Sequence, residues 1–187
     1  KTTEQAKLDA LLELIMQEDE AAKNSGNQLP LTIIFVERKA RCDEVAELLY
    51  EAGFGAAALH GGRSQHEREG ALQDFTRGVT PILVATDVAS RGLDVKNVAH
   101  VINLDLPRAL EDYVHRIGRT GRAGATGRAT SFYTDRDSFI VAQIKKALAE
   151  IVGCESRALV CGGNWIHSER TVADFVVCLL LCRYHVC

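Results

Sequence analysis

Cysteine is nearly missing from the first 150 residues of this 187-residue chain, where Cys42 stands alone, although five more crowd into the last 34. That scarcity excludes a disulfide framework for the body and predicts a reduced, intracellular domain, cytoplasmic or nuclear; the crowding marks a change of character near residue 151. Strong charge of either sign is also missing. The net charge is −3, so any nucleic-acid contact has to rest on a local cluster of basic groups. No apolar run approaches the roughly 20 residues of a bilayer-spanning helix, and the opening KTTEQAKLDA is too polar for a signal peptide, so no membrane partner is expected. There is no GxxxxGKS or GxxxxGKT phosphate loop, and no GxGxxG behind the first apolar run. The first absence removes the lysine that would hold a polyphosphate; the second disfavours a dinucleotide-binding oxidoreductase, for which Gly118, Gly121, Gly124 and Gly127 have the wrong spacing. Internal repeats and low-complexity segments are lacking as well.

What is present is globular in type: 47% hydrophobic and 25% charged residues, enough for one ordinary domain with an extension. Residues 4–22 set Ala6, Leu8, Leu11, Leu12, Ile15 and Met16 at helical spacing among polar residues, which predicts an amphipathic helix packed on the body. Leu31–Val36 is short, β-branched and apolar on both faces, as in a buried parallel strand. Helical and strand patterns then alternate: a helix over Ala40–Tyr50, a strand over Ala56–Leu59, and a helix over Ser64–Phe75 with Ser64 and Glu67 forming a capping box. Strands over Pro81–Ala85 and Val98–Leu104, a helix over Leu110–Ile117, a strand over Arg128–Tyr133 and a closing helix over Arg136–Glu150 complete the series. The alternation predicts a three-layer α/β fold, a parallel sheet flanked by helices. Three segments follow: an N-terminal helix and linker over 1–29, the α/β domain over 30–150, and a divergent cysteine-rich tail over 151–187.

Ligands of such sheets bind where loops leave the carboxyl ends of the strands. Glu37-Arg38-Lys39, His60-Gly61-Gly62-Arg63, Thr86-Asp87 and Asp105-Leu106-Pro107 all fall there. The densest cluster lies beyond the next helix, in Tyr113 to Gly124, where Arg116, Arg119 and Arg122 recur every three residues. At a helix end running into a turn they would fan out from one side, and guanidinium groups match phosphate oxygens with paired hydrogen bonds. The plain alternative is a basic, solvated surface loop. Segment 85–95, ATDVASRGLDV, also reads two ways. Thr86 can donate to a phosphate and Asp94 can accept from ribose hydroxyls, or Asp87 caps a helix and Asp94 a turn. In 60–68, HGGRSQHER, glycine amides precede a helix N-terminus that attracts phosphate, and Gln65 and Arg68 share a helix face; a simple capped helix start is the other reading.

Taken together, HRIGRTGR at 115–122, ATDVASRGLD at 85–94, HGGRSQHER at 60–68 and LTIIFVERK at 31–39 resemble the sixth, fifth, HGDxxQxxR and fourth motifs of DEAD-box RNA helicases. They stand in family order, and the resemblance covers about residues 30–140. It is to the second RecA-like lobe, closest in flavour to the Vasa-like group. Gly62 departs from the family, which usually has aspartate there. The resemblance implies arginine fingers at Arg119 and Arg122 acting on the γ-phosphate of ATP, with Gly92 and Asp94 at the nucleotide ribose. It implies RNA-backbone contacts for Gly61, Gly62, Arg63, Gln65, Arg68 and Thr86, and contacts with the first lobe for Arg91, His115 and Arg116. Since the chain has no Asp-Glu-Ala-Asp and no phosphate loop, magnesium and most ATP contacts would belong to that first lobe. The expectation is a half-site in an ATP-dependent RNA helicase, inactive alone, with single-stranded or duplex RNA and the first lobe as partners. A non-enzymatic RNA-binding or regulatory fragment is the alternative.

The tail departs from the family. Cys178, Cys182, His185 and Cys187 follow a spacing that matches no common zinc site. The run Val172–Leu181 reads as a helix or strand with an apolar face; an altered reading frame or retained intron is a further reading.

Overall fold

The computed structural model describes residues 3–90, 95, 98–121, 127–152 and 176–181. Five strands, β1 (Thr32–Phe35), β2 (Ala56–Leu59), β3 (Ile82–Ala85), β4 (His100–Asn103) and β5 (Gly127–Phe132), run parallel in the order β2-β3-β1-β4-β5. A sixth strand, β6 (Val176–Leu181), pairs antiparallel with β5 and closes that side of the sheet. The helices are α1 (Thr3–Asn24), α2 (Lys39–Glu51), α3 (Gln65–Thr76), α4 (Asp87–Ser90), α5 (Leu110–Ile117) and α6 (Ser138–Val152), with a single 3₁₀ turn at Asp135–Asp137.

The pleat sorts the core. Alternate residues of a strand face opposite sides, so Ile34 of β1, Val84 of β3 and Ile102 of β4 meet Leu8, Leu11 and Ile15 of α1 and Val45 and Leu49 of α2. Their neighbours Ile33, Phe35, Leu83 and Val101 face the other way and bury Phe75 of α3. A third cluster joins Tyr113 of α5 to Ala129 of β5 and to Ile140 and Ile144 of α6. β1, β3 and β4 are buried on both faces, so β1 and β3 read as largely apolar runs, while β4 buries His100 and Asn103 at its two ends.

Helix α1 lies lengthwise on β4 and is pinned at both ends. Lys7 reaches the Leu104 carbonyl (3.3 Å) and Asp105 (3.8 Å) just past the strand's carboxyl end. Eleven residues on, Glu18 meets the His100 ring (2.9 Å) and Arg128 at the opposite end. Eleven residues of helix span about 16 Å at 1.5 Å per residue, close to the length of β4 with its exit loop.

Candidate functional site

The carboxyl ends of the five parallel strands open on one edge, and the polar loop residues collect there. At its centre, Arg116 of α5 grips Asp87, the first residue of α4, with Nε to Oδ1 at 2.5 Å and Nη2 to Oδ2 at 2.6 Å. Its Nη1 donates to Asn103 Oδ1 (3.1 Å) and to the Asp105 carbonyl (2.7 Å), and its guanidinium carbon lies 5.0 Å from the centre of the Phe35 ring. Only 3% of Arg116 is exposed. The side chain thus ties the exits of β3 and β4 to α5 and lies inside the lobe. Arg116 therefore leaves the expected one-sided fan of three arginines: it turns into the sheet, because a half-buried carboxylate, an amide and a carbonyl all converge on it. Arg119 is half-buried, and Arg122 lies outside the described residues, as do Arg91, Gly92 and Asp94.

Glycine shapes the turn that carries Arg119. Gly118 caps α5, and Gly121 has φ +70°, in the left-handed region that side chains with a Cβ rarely occupy. Between them Thr120 is buried and donates to the Ala99 carbonyl at 3.1 Å as well as to that of Val98. Gly127 backs onto this turn so closely that a Cβ there would collide with Thr120 Oγ1 and the Gly121 amide. Its spacing in the sequence carried no such signal.

At the β2 exit, Ser64 and Glu67 form the expected capping box, with Ser64 Oγ accepting from the Glu67 amide and Glu67 Oε2 accepting from the Ser64 amide. Hydrogen bonds from the Ser64 hydroxyl and amide hold the Glu67 carboxyl below its usual pKa range. Of the two glycine amides ahead of α3, that of Gly62 is engaged within the corner. Gly62 N–H donates to His60 Nδ1 (3.1 Å), and Arg63 N–H donates to the His60 carbonyl (3.1 Å). With Nδ1 accepting, the ring proton sits on Nε2 and is given to Asp43 Oδ1 at 3.0 Å. The same oxygen takes a hydrogen bond from Arg63 Nη2 at 2.6 Å. Burial works against ionisation of Asp43, but the His60 and Arg63 hydrogen bonds outweigh it and keep the carboxyl below its ordinary range. Asp43 was not legible as part of this corner; it arrives from α2, 17 residues before His60.

Among the remaining expected contacts, Gln65 donates to Glu69 (2.7 Å) from the exposed first turn of α3, and Arg68 is half-buried. Thr86 is 6% exposed, with its amide on the Leu59 carbonyl. His115 is exposed. Beside them a cavity of about 460 Å³ lies between the exits of β1, β4 and β5, lined among others by Arg38, Arg41, Asp105, Arg108 and Arg136. Asp105 organises this corner by accepting from the Glu37 amide (3.0 Å) and pairing with Arg41 (3.4 Å). Cys42 is buried against the Val84 carbonyl (3.0 Å), and burial pushes its thiol up to about 11. Among the described residues no cluster of three metal-binding side chains occurs, and no helix is long and apolar enough to cross a membrane. Cys182, His185 and Cys187 lie outside the described residues.

Known proteins with this arrangement are numerous. The conserved C-terminal domain of helicases matches residues 6–124. A DEAD-box ATP-dependent RNA helicase of Oryza sativa subsp. japonica, 52A, is 55% identical over 140 residues, which is 75% of this chain and 23% of that protein. The ATP-dependent RNA helicase DBP2 of Saccharomyces cerevisiae is 51% identical over 119 residues, 64% of this chain and 22% of its own length. The chain thus spans less than a quarter of these relatives. Among solved structures, the E. coli DEAD-box protein SrmB, bound to regulator of ribonuclease activity A, superposes with a TM-score of 0.68 at 37% identity, covering 77% of this chain and 79% of that one. The C-terminal domain of the DEAD-box protein Dbp5 gives a TM-score of 0.64 at 34% identity, with 77% and 79% covered. With the family match over most of its length, this degree of identity and the same sheet as these C-terminal lobes, the chain belongs to the helicase conserved C-terminal domain family and has the RecA-like fold of a DEAD-box C-terminal lobe.

Proposed function

We propose that this lobe completes the ATPase site of a two-lobed RNA helicase. In this reading Arg119 and Arg122 reach the γ-phosphate of an ATP whose magnesium and phosphate loop sit on a first lobe, while Gly92 and Asp94 hold its ribose. Arginines placed in this way stabilise charge on the transferring phosphoryl group and are worth about 10³–10⁵ in rate. The RNA backbone lies along Gly61, Gly62, Arg63, Gln65, Arg68 and Thr86, and Arg91 and His115 face the first lobe. Arg116 serves the same joint from within, by holding α5 in register with the loops after β3 and β4. To reach RNA, Arg63 must exchange Asp43 for phosphate, and the Gly62 amide must leave His60; a nucleic-acid-driven rearrangement of this corner is part of the proposal. Such a protein works with its RNA in the cytoplasm or nucleus.

The Asp87–Arg116 clamp supports this reading best. It fastens the segment that begins at Thr86 to the helix that leads into Arg119, and so joins the two strings most characteristic of the family at one edge. The test is RNA-stimulated ATP hydrolysis by the chain alone, and after addition of a separately expressed first lobe from a DEAD-box protein. Activity is expected only in the mixture, and Arg122→Ala is expected to abolish it. Unchanged turnover by that variant overturns the arginine-finger assignment. A mixture that stays inactive while binding single-stranded RNA favours a regulatory fragment.

A further inference from the structure

Strand order leaves one edge of the parallel sheet open. β2 is outermost and pairs with β3 alone among the described residues. Its Ala56, Ala57 and Ala58 are half-buried, where β1, β3 and β4 are buried throughout. Ile82 N–H donates to the Gly55 carbonyl and Thr86 N–H to the Leu59 carbonyl, both at 3.2 Å. Gly55 and Leu59 therefore turn their main-chain groups toward β3. With a period of two, Ala56 and Ala58 turn theirs outward, and alanine has no side chain long enough to screen them.

These outward groups open into a groove of about 660 Å³ between α2 and α3. The α2 wall presents Asp43, Glu47 and Tyr50; the α3 wall presents Glu67 and Asp74 beside Gly70, where a Cβ would meet nothing within 4 Å. Asp43 and Glu67 are answered by Arg63, at 2.6 and 3.5 Å. Glu47 and Asp74 have no ion pair among the described residues. Tyr50 is 74% exposed at the rim, a ring face on which a cation can rest. Four carboxylates against one guanidinium repel a phosphodiester chain, so this groove meets the proposed RNA surface only at Arg63. Carboxylates beside an open edge also deter a second copy of the chain, whose own edge carries the same charges. A basic strand is the one that such charges admit.

We propose that this groove takes an extended, lysine- or arginine-rich segment of a partner polypeptide, which adds to β2 as a further strand. The main-chain groups of Ala56 and Ala58 supply its hydrogen bonds. Successive side chains of the added strand point to opposite walls, so adjacent cations reach Glu47 on one side and Asp74 on the other. Neither residue belongs to the nucleotide or RNA surface, and the proposal stands apart from the ATPase reading.

The probe is a fluorescein-labelled hexapeptide, TKKVKT, titrated by fluorescence anisotropy against the full chain. Saturable binding is expected, weakened at least about tenfold, a loss of about 1.4 kcal/mol, by Glu47→Lys combined with Asp74→Lys. Both positions are exposed, and unchanged thermal melting of the variant shows that it is folded. A peptide with the same charges but N-methylated at alternate amides is expected not to bind. Equal binding of the methylated peptide overturns the proposal in favour of charge adsorption, and no binding of either reduces the carboxylates to edge protection. Self-association in sedimentation that the charge reversal changes assigns the edge to a second copy, and photo-crosslinking of oligouridylate to Tyr50 assigns it to RNA; either overturns the proposal.

Discussion

Arg116 and Asp87, 29 residues apart in sequence, meet through two parallel hydrogen bonds of 2.5 and 2.6 Å, the arginine 3% exposed and the aspartate 32%. The unequal burial sets the cost of breaking the pair. Asp87→Ala strands a buried guanidinium, and removal of one partner from a buried pair costs about 3–5 kcal/mol. Arg116→Lys keeps the charge but not the fork, so it is expected to cost less. Urea denaturation of the two variants checks the order; an Asp87→Ala chain as stable as the parent would show that water replaces the clamp.

Gly127 and Gly70 make opposite predictions from one kind of substitution. A Cβ on Gly127 runs into Thr120 Oγ1 and the Gly121 amide, so Gly127→Ala is expected to cost about 1–3 kcal/mol as overpacking and to displace the turn bearing Arg119. Gly70 lies within α3 with open space around it, and Gly70→Ala is expected to gain about 0.5–1 kcal/mol of helix stability. Paired thermal melts of the two variants read both effects.

His100 predicts an acid dependence of stability. Burial lowers its pKa from 6.5 to about 4; its Nε2 lies 2.8 Å from the Thr130 hydroxyl, and Nδ1 faces Glu18 and Arg128. The unfolded chain therefore binds the extra proton between about pH 6.5 and 4. Stability is full above that window and falls as the pH drops through it, by up to about 3 kcal/mol from this ring alone. His100→Gln is expected to flatten the loss, as measured by denaturation at pH 7 and pH 5 in the same salt.

Much of the sheet is readable from local pattern because β1, β3 and β4 are buried on both faces and α3 starts at a visible cap, although α2 and α5 have no side-chain cap. Ser64 and Glu67 announce α3, and the run TIIF announces β1. Side-chain destinations are a different matter. Three arginines spaced by three look equivalent along the chain, yet Arg116 is drawn inward by Asp87, Asn103 and Asp105, groups supplied by two other strand exits. Asp43 and His60 find each other only because β2 packs on α2. The run Val172–Leu181 allowed helix or strand, since a short apolar stretch carries either period; the unpaired edge of β5 favours the strand observed at Val176–Leu181.

Helix α1 touches both rims of the sheet, with Lys7 and Glu4 beside Asp105 and Arg41 on the loop side, and Glu18 beside His100 and Arg128 on the other. It behaves as a tie rod whose anchors are charges and whose shaft is apolar. Cutting the chain at residue 30, where the strand pattern begins, would unscrew both anchors at once, leaving Arg41 without Glu4, Arg128 and His100 without Glu18, and Asp105 without its lysine. The loops that would meet nucleotide and RNA are held in place partly from behind, by a helix that carries none of the motifs.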